Sequence, residues 1–174
     1  NCCSAEKSQM VTVNALPTPR ISQTNNYTEL TCSRTSITLT ANGSGGTFAW
    51  SGGGTGTTNT VSSAGPYTVI ETKNGCSGTS DEYEITSNTE HPTVSITGTN
   101  EICLGESTTL QTTSNANYTY LWSNSVETYN NTVSPNTTTT YSVTTTDSRN
   151  DCSAIASRTV TVNTPAIPNA SSYD

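Results

Sequence analysis

Apolar and polar residues alternate along several short stretches of this chain. Ile37, Leu39 and Ala41 are separated by threonines, so they would lie on one face of a β-strand. The segment Val160–Val162 has the same period of two, and helix-forming residues do not cluster at a helical spacing. Turn-forming pairs such as Asn74-Gly75 separate the stretches. Short strands at regular spacing predict an all-β fold of the sandwich type.

The same series of landmarks occurs twice along the chain. Each series contains a cysteine, a Ser-x-x-Leu run, an aromatic-x-Trp-Ser run, a Tyr-x-Val run and an Asn-x-Cys turn. The first series covers residues 32–85 and the second covers residues 103–162. Such self-similarity predicts tandem repeats. We therefore predict one repeat over residues 17–90, a second over residues 91–164, and a linker over residues 165–174.

The first 16 residues look like the end of another repeat. Cys3 and Val11–Val13 have the same spacing as Cys152 and Val160–Val162. We interpret residues 1–16 as the final strand of a preceding repeat. That repeat could lie upstream on the same polypeptide, which we favour because each complete repeat has its own final strand. Alternatively, the strand could be donated to an adjacent subunit.

Two tryptophans and two tyrosines hold equivalent positions in the two series. Trp50 and Trp122 could stack on sugars, but their equivalent placement favours core residues of a central strand, as in immunoglobulin domains. Tyr67 and Tyr141 are interpreted in the same way, as structural tyrosines of a later strand. A core function for all four residues implies one small hydrophobic core per repeat.

The six cysteines indicate disulfides rather than a zinc or thioredoxin site, because the chain has no Cys-x-x-Cys motif. Disulfides imply an oxidising compartment outside the cytosol. We predict one disulfide per repeat, Cys32 with Cys76 and Cys103 with Cys152, because each pair brackets one repeat. The other scheme links neighbouring repeats, Cys3 with Cys32 and Cys76 with Cys103. In the first scheme Cys3 pairs with a cysteine outside a complete repeat, and Cys2 has no assigned partner.

Charge and motifs argue against several functional classes. A net charge of −7 disfavours nucleic acid and anionic membranes as partners, and no apolar run reaches the length of a membrane span. His91 is the only histidine, and it precedes Pro92 with no evident catalytic or metal-binding partner. Acidic residues near Asp81 and Asp147 are interpreted as solvated charge, with calcium as the alternative. We predict a protein that is not an enzyme and has no cofactor or metal.

One group of motifs carries a resemblance to known proteins. Its members are Cys103–Ser107 with Leu110, Tyr120–Ser123, Thr140–Val143, Asp147–Cys152 and Val160–Val162. They resemble the Ig-like and PKD-like repeats of very large secreted surface proteins of Bacteroidota, including gliding and adhesion proteins exported by the type IX pathway. The first repeat departs from this pattern, because no glycine follows Cys32 closely and Pro66 replaces threonine before Tyr67.

The resemblance implies tandem immunoglobulin-like β-sandwich repeats at the cell surface, with a structural or adhesive function. Expected partners are neighbouring repeats or subunits of the same protein, and surface glycans or a host or other substratum. The alternative is a carbohydrate- or protein-binding module attached to a secreted enzyme. Tyr118 and Tyr129 are the additional aromatic residues of the second repeat, and they are the candidates for an exposed binding surface.

Overall fold

A computed structural model of the chain describes residues 6–164. All regular secondary structure in that range is β-strand, which confirms the predicted all-β class. No helix among these residues is long and apolar enough to cross a bilayer. The chain forms two compact units. Unit 1 contains the described residues up to 30 and residues 34–87, and unit 2 contains residues 31–33 and those from 88 onwards.

Unit 1 is built from nine short strands in its described part. They are β1 (Arg20–Ser22), β2 (Glu29–Leu30), β3 (Ile37–Asn42), β4 (Thr47–Trp50), β5 (Thr58–Val61), β6 (Gly65–Tyr67), β7 (Val69–Lys73), β8 (Cys76–Thr79) and β9 (Tyr83–Ser87). The strand orders are β1-β3-β5, β2-β9-β6 and β4-β7-β8. Neighbouring strands are antiparallel except β2 and β9, which are parallel.

Unit 2 has fewer and longer strands in its described part. They are β10 (Ile96–Thr97), β11 (Glu101–Cys103), β12 (Thr108–Thr112), β13 (Tyr118–Trp122), β14 (Asn130–Val133), β15 (Thr139–Asp147) and β16 (Cys152–Asn163). One sheet has the order β10-β12-β14 and the other has the order β11-β16-β15-β13. Strands β15 and β16 form a long antiparallel hairpin, paired from Thr139 with Val160 to Asp147 with Cys152.

Each unit has its own hydrophobic core between sheets. In unit 1, the predicted alternation places Ile37, Leu39 and Ala41 of β3 inside, against buried residues such as Val69 and Ile85 from other sheets. In unit 2, Leu110 and Val133 of one sheet pack with residues of the other sheet. Burial of each large apolar side chain contributes roughly 1.5–3 kcal/mol. No sheet of the described chain closes into a barrel, so both units are of the sandwich type.

The two tryptophans lie in the two cores. Trp50 is 5% exposed in unit 1 and Trp122 is 1% exposed in unit 2. Each indole N–H donates to a carbonyl six residues further on, Trp50 to Gly56 at 2.9 Å and Trp122 to Thr128 at 2.8 Å. Each indole therefore buries its rings and still satisfies its one donor.

The two tyrosines are partly buried and pack against the cores. Tyr67 lies against the core of unit 1 and Tyr141 lies against the core of unit 2. The Tyr67 hydroxyl also donates to the carbonyl of Ser63 at 2.9 Å. Such a bond to a carbonyl a few residues upstream is typical of the structural tyrosine in immunoglobulin-type sandwiches.

A serine side chain interrupts the sheet of unit 1 at a position where unit 2 is continuous. Strand β15 runs unbroken through Tyr141 and Val143, whereas β6 and β7 are separated at Thr68. The Ser80 hydroxyl accepts the backbone N–H of Val69 at 3.0 Å and donates to the Asp81 carbonyl at 2.8 Å. The hydroxyl takes the place of a main-chain acceptor for the Val69 N–H, while the Val69 carbonyl still accepts the backbone N–H of Ser80 at 2.9 Å.

A buried carboxylate fixes the turn between β3 and β4. Oε1 of Glu71 accepts the backbone N–H groups of Ser44 at 2.7 Å and Gly46 at 2.8 Å, and the Ser44 hydroxyl at 3.0 Å. Gly43 is required beside it, since a Cβ there would lie 2.4 Å from Oε2. The hydrogen bond from Gly46 lowers the pKa of Glu71, and those from Ser44 act in the same direction, while burial opposes them.

We expect unit 1 to lose stability in acid because of Glu71. The pKa of this carboxyl is lower in the folded state than its ordinary value of 4.5, so its contribution is complete above that pH. The contribution is lost as the pH falls below 4.5 towards the lowered value. Hydrogen exchange of the β7 amides, followed by NMR between neutral and acid pH, measures this loss.

The Glu71→Gln variant should exchange faster than the wild type at neutral pH, because an amide oxygen is a weaker acceptor than a carboxylate. Its protection should also depend less on pH. The exposed Glu84→Gln variant on β9 is the matched control, and it should behave as the wild type. Equal pH profiles for the wild type and Glu71→Gln would contradict this explanation.

The interpretation of residues 1–16 as the final strand of a preceding repeat stays a prediction. Residues 6–19 contain no strand, and Met10, Val11 and Val13 are exposed. A lone strand cannot satisfy its backbone groups internally, so we expect this segment to form a strand only when it is laid against other strands. Residues 1–5 and the predicted linker 165–174 lie outside the described residues.

Candidate functional site

The disulfide of the structure differs from both predicted schemes. Cys32 is bonded to Cys152, with Cα atoms 5.1 Å apart, and Cys76 and Cys103 are free thiols. The predicted pairs Cys32–Cys76 and Cys103–Cys152 are therefore wrong, and so is a pairing of Cys76 with Cys103. Cys3, which was expected to pair outside a complete repeat, lies outside the described residues.

The pairing was missed because residues 31–33 belong to unit 2, although a contiguous first repeat over residues 17–90 was predicted. The backbone N–H of Cys32 donates to the carbonyl of Asn150 at 3.1 Å. The hydroxyl of Ser33 donates to Asp151 at 2.6 Å. The spacing of the cysteines along the sequence does not reveal that residues 31–33 belong to the other unit.

His91 lies directly beside this disulfide. Its Nδ1–H donates to the carbonyl of Ser153 at 2.7 Å, and its Nε2 lies 3.9 Å from Sγ of Cys32. The two sulfur atoms and a ring nitrogen of His91 all lie within 4.8 Å of one another. No partner of this histidine is evident in the sequence, because its neighbours come from segments that are far away along the chain.

A polar cleft of about 350 Å³ opens on unit 2 next to His91. Its floor is organised by Asn150, which is buried and donates to Asn88 Oδ1 and to the Glu90 carbonyl, both at 2.9 Å. Asn150 Oδ1 also accepts the backbone N–H of Cys152 at 3.0 Å. The amide of Asn150 thus fixes the segment 88–90 to the start of β16.

Asp147 and Arg149 form an ion pair in the wall of this cleft. The guanidinium Nε lies 3.0 Å from Oδ1 and 3.2 Å from Oδ2 of Asp147. This hydrogen bonding from Arg149 lowers the pKa of Asp147 and raises that of Arg149. A carboxylate held in its ionised form by a neighbouring cation is suited to fixing a turn and poorly suited to proton transfer near neutral pH.

An aromatic groove of about 600 Å³ lies beside the cleft, along the edge strand β13 and the residues before β14. Its exposed apolar residues are Leu121 and Tyr129, which are 54% and 43% exposed. Tyr120 is fixed in place, since its hydroxyl donates to the Thr113 carbonyl at 3.0 Å and accepts the Asn115 N–H at 3.1 Å. Tyr118 lines both the groove and the cleft.

The predicted surface residues Tyr118 and Tyr129 are thus brought together in one groove. The remaining lining of the groove includes Glu127, Thr128 and Asn130. An apolar, aromatic surface bordered by a few polar groups is the arrangement of a binding site, in which rings supply contact area and polar groups fix orientation. The pair of cavities on unit 2 is our candidate functional site.

No known protein family matches this sequence, and a search of curated proteins finds no significant match.

Proposed function

We propose that this chain is a non-enzymatic structural and adhesive segment of an extracellular surface protein or filament, built from tandem Ig-like repeats. The observation that carries the proposal is a set of three hydrogen-bond patterns that recur at matching positions of the two units. Such repeats serve as spacers and as binding heads, so a function in surface architecture and adhesion follows from repetition together with an exposed binding surface.

Three pairs of matching bonds support repetition. The two indole bonds of Trp50 and Trp122 span the same number of residues. The N–H of the serine after each tryptophan donates to a carbonyl at matching positions, Thr68 at 3.0 Å in unit 1 and Ser142 at 2.8 Å in unit 2. Pairs of threonine hydroxyls also lie 2.9 Å apart in both units, Thr38 with Thr60 and Thr109 with Thr132.

An extracellular location is supported by the disulfide and by the surface charge. The Cys32–Cys152 bond requires an oxidising compartment to form and persist. A net charge of −7 with few cations keeps an array of repeats soluble and disfavours binding to nucleic acid. Both features fit the surface repeats of Bacteroidota that the motifs resemble.

The adhesive part of the proposal rests on the groove of unit 2, for which we propose a glycan as the ligand. The C–H face of a sugar ring is apolar and packs well on a tyrosine ring, while its hydroxyl groups need polar partners at the edge. Tyr118 and Tyr129 supply the rings. Glu127 in the groove and Asn115 in the cleft supply the polar groups.

A comparison of the units favours a second candidate, a carbohydrate-binding module attached to a secreted enzyme. If the tryptophans are aligned, Tyr118 of unit 2 corresponds to Gly46, and Tyr129 corresponds to Thr57. Unit 1 therefore has no aromatic side chains at these two positions, so recognition is specialised in unit 2. The two candidates differ in the rest of the native polypeptide, where a catalytic domain would support the second.

We expect the protein to bind immobilised glycans through unit 2. In a glycan array followed by titration calorimetry, Tyr118→Ala and Tyr129→Ala should each weaken binding about tenfold or more, as loss of an aromatic contact does in other interfaces. Tyr27→Ala is the matched control, because Tyr27 lies in unit 1 and is 43% exposed, as Tyr129 is. This control should bind as the wild type does.

Two results would contradict the proposed recognition. The first is failure of the wild type to bind any glycan on the array. The second is an equal loss of binding in the Tyr27→Ala variant, which would place the ligand elsewhere. Circular dichroism of each variant distinguishes lost contact from lost folding.

A further inference from the structure

We propose that unit 2, once its disulfide is reduced, binds a zinc ion through Cys32, Cys152 and His91. Thiolate and imidazole are the ligands that zinc prefers in proteins. The two sulfur atoms and a nitrogen of the histidine already lie within 4.8 Å of one another. The inference does not depend on the adhesive function.

The orientation of the histidine is the second observation. Because Nδ1–H donates to the Ser153 carbonyl at 2.7 Å, the free lone pair is on Nε2, the atom that faces Cys32 Sγ. Histidines that bind metals almost always donate their other ring N–H to a carboxylate or a backbone carbonyl, which fixes the tautomer and the ring plane. His91 therefore has the hydrogen bond that a zinc ligand needs.

The distances around the site are close to those of a zinc centre. Bonds of about 2.3 Å to sulfur and 2.0–2.1 Å to nitrogen in a tetrahedron place nitrogen and sulfur about 3.5 Å apart. The observed separation of Nε2 and Cys32 Sγ is 3.9 Å. Once the S–S bond is broken, the two thiolates must separate to about 3.8 Å by side-chain rotation. Water would complete the coordination as the fourth ligand.

A small-molecule thiol can convert the disulfide into the two free thiols that zinc binding needs. Two such thiols reduce the disulfide, which gives two protein thiols and one small-molecule disulfide. Zinc binding then releases the two thiol protons, because the ligands are thiolates. Cytosolic thiol pools keep the cysteines of a newly made chain reduced, so such a chain would hold zinc before the disulfide forms.

The consequence for folding is that residues 31–33 can be joined to unit 2 in either redox state. In the oxidised chain the disulfide holds Cys32 to Cys152. In the reduced chain the metal would hold the same two residues together with His91. A metal bound only in the folded state stabilises it by mass action.

The test uses the full chain with every other thiol removed. Cys2, Cys3, Cys76 and Cys103 are replaced by serine, and the protein is reduced with a phosphine under anaerobic conditions. Titration with Co²⁺ should then give thiolate-to-cobalt charge-transfer absorption and visible bands of a tetrahedral site, saturating at one ion per chain. Addition of Zn²⁺ should remove these bands.

Two comparisons make the assignment specific. The reoxidised protein should give no bands, because its sulfur atoms are bonded to each other. In the same background, His91→Ala should weaken Co²⁺ binding by at least tenfold, whereas Glu101→Gln, a change at an exposed carboxylate of β11 in unit 2, should leave it unchanged. Circular dichroism is recorded alongside, with and without Zn²⁺. If reduction unfolds the chain, binding of the metal then appears as refolding when Zn²⁺ is added.

Three results would overturn the proposal. They are no Co²⁺ bands in the reduced chain, equal affinity of the His91→Ala variant, and a reduced chain that is unfolded and does not refold with Zn²⁺.

Discussion

Replacement of Trp122 by alanine is expected to lower the free energy of unfolding of unit 2 by about 3–5 kcal/mol. The side chain is 1% exposed and lies in the core with Leu110, Val143 and Val160. Its loss leaves a cavity that the surrounding strands cannot fill, and it leaves the Thr128 carbonyl without its donor. Urea unfolding followed by far-ultraviolet circular dichroism measures the change.

Leu121→Ala is the control for this prediction. Leu121 is the adjacent residue of β13, and its side chain is 54% exposed. The substitution should therefore change stability by less than about 0.5 kcal/mol. The fluorescence of Trp50, which is then the remaining tryptophan, reports unit 1 in the Trp122→Ala variant. Unchanged stability in Trp122→Ala would show that this residue is not a core residue.

Removal of the Cys32–Cys152 disulfide is expected to cost about 2–5 kcal/mol of stability. The two residues are 120 positions apart, so the bond closes a long loop and restricts the unfolded chain strongly. The double variant Cys32→Ala with Cys152→Ala avoids a buried hydroxyl, which matters because Cys152 is fully buried. Chemical denaturation of this variant and of the oxidised wild type measures the difference.

The matched control is the double variant of the two free thiols, Cys76→Ala with Cys103→Ala. This control should retain the stability of the oxidised wild type to within about 1 kcal/mol. Peptide mapping without reduction should recover a peptide of Cys32 linked to Cys152. Recovery of Cys32 linked to Cys76 would instead support the bracketing scheme and contradict the structure.

Local patterns in the sequence were sufficient to predict the class of the fold and the character of its cores. The alternation of Ile37, Leu39 and Ala41 reappears as the buried face of β3. This succeeds because side-chain direction in a strand depends only on neighbouring residues. The equivalent placement of Trp50 and Trp122 likewise pointed to the interior, where both lie. Tyr118 and Tyr129 could be proposed as surface residues because they have no aromatic counterpart in the first series of landmarks.

Only the tertiary structure decided three features of the candidate site. They are the disulfide, the surroundings of His91, and the groove that Tyr118 and Tyr129 share. Each depends on which distant segments meet, such as residues 31–33 with the start of β16. The break in the sheet of unit 1 has the same origin, since the Ser80 hydroxyl reaches Val69 across a strand pair. Spacing along the chain carries no information about such contacts, because they are fixed by how whole sheets pack rather than by the conformation of neighbouring residues.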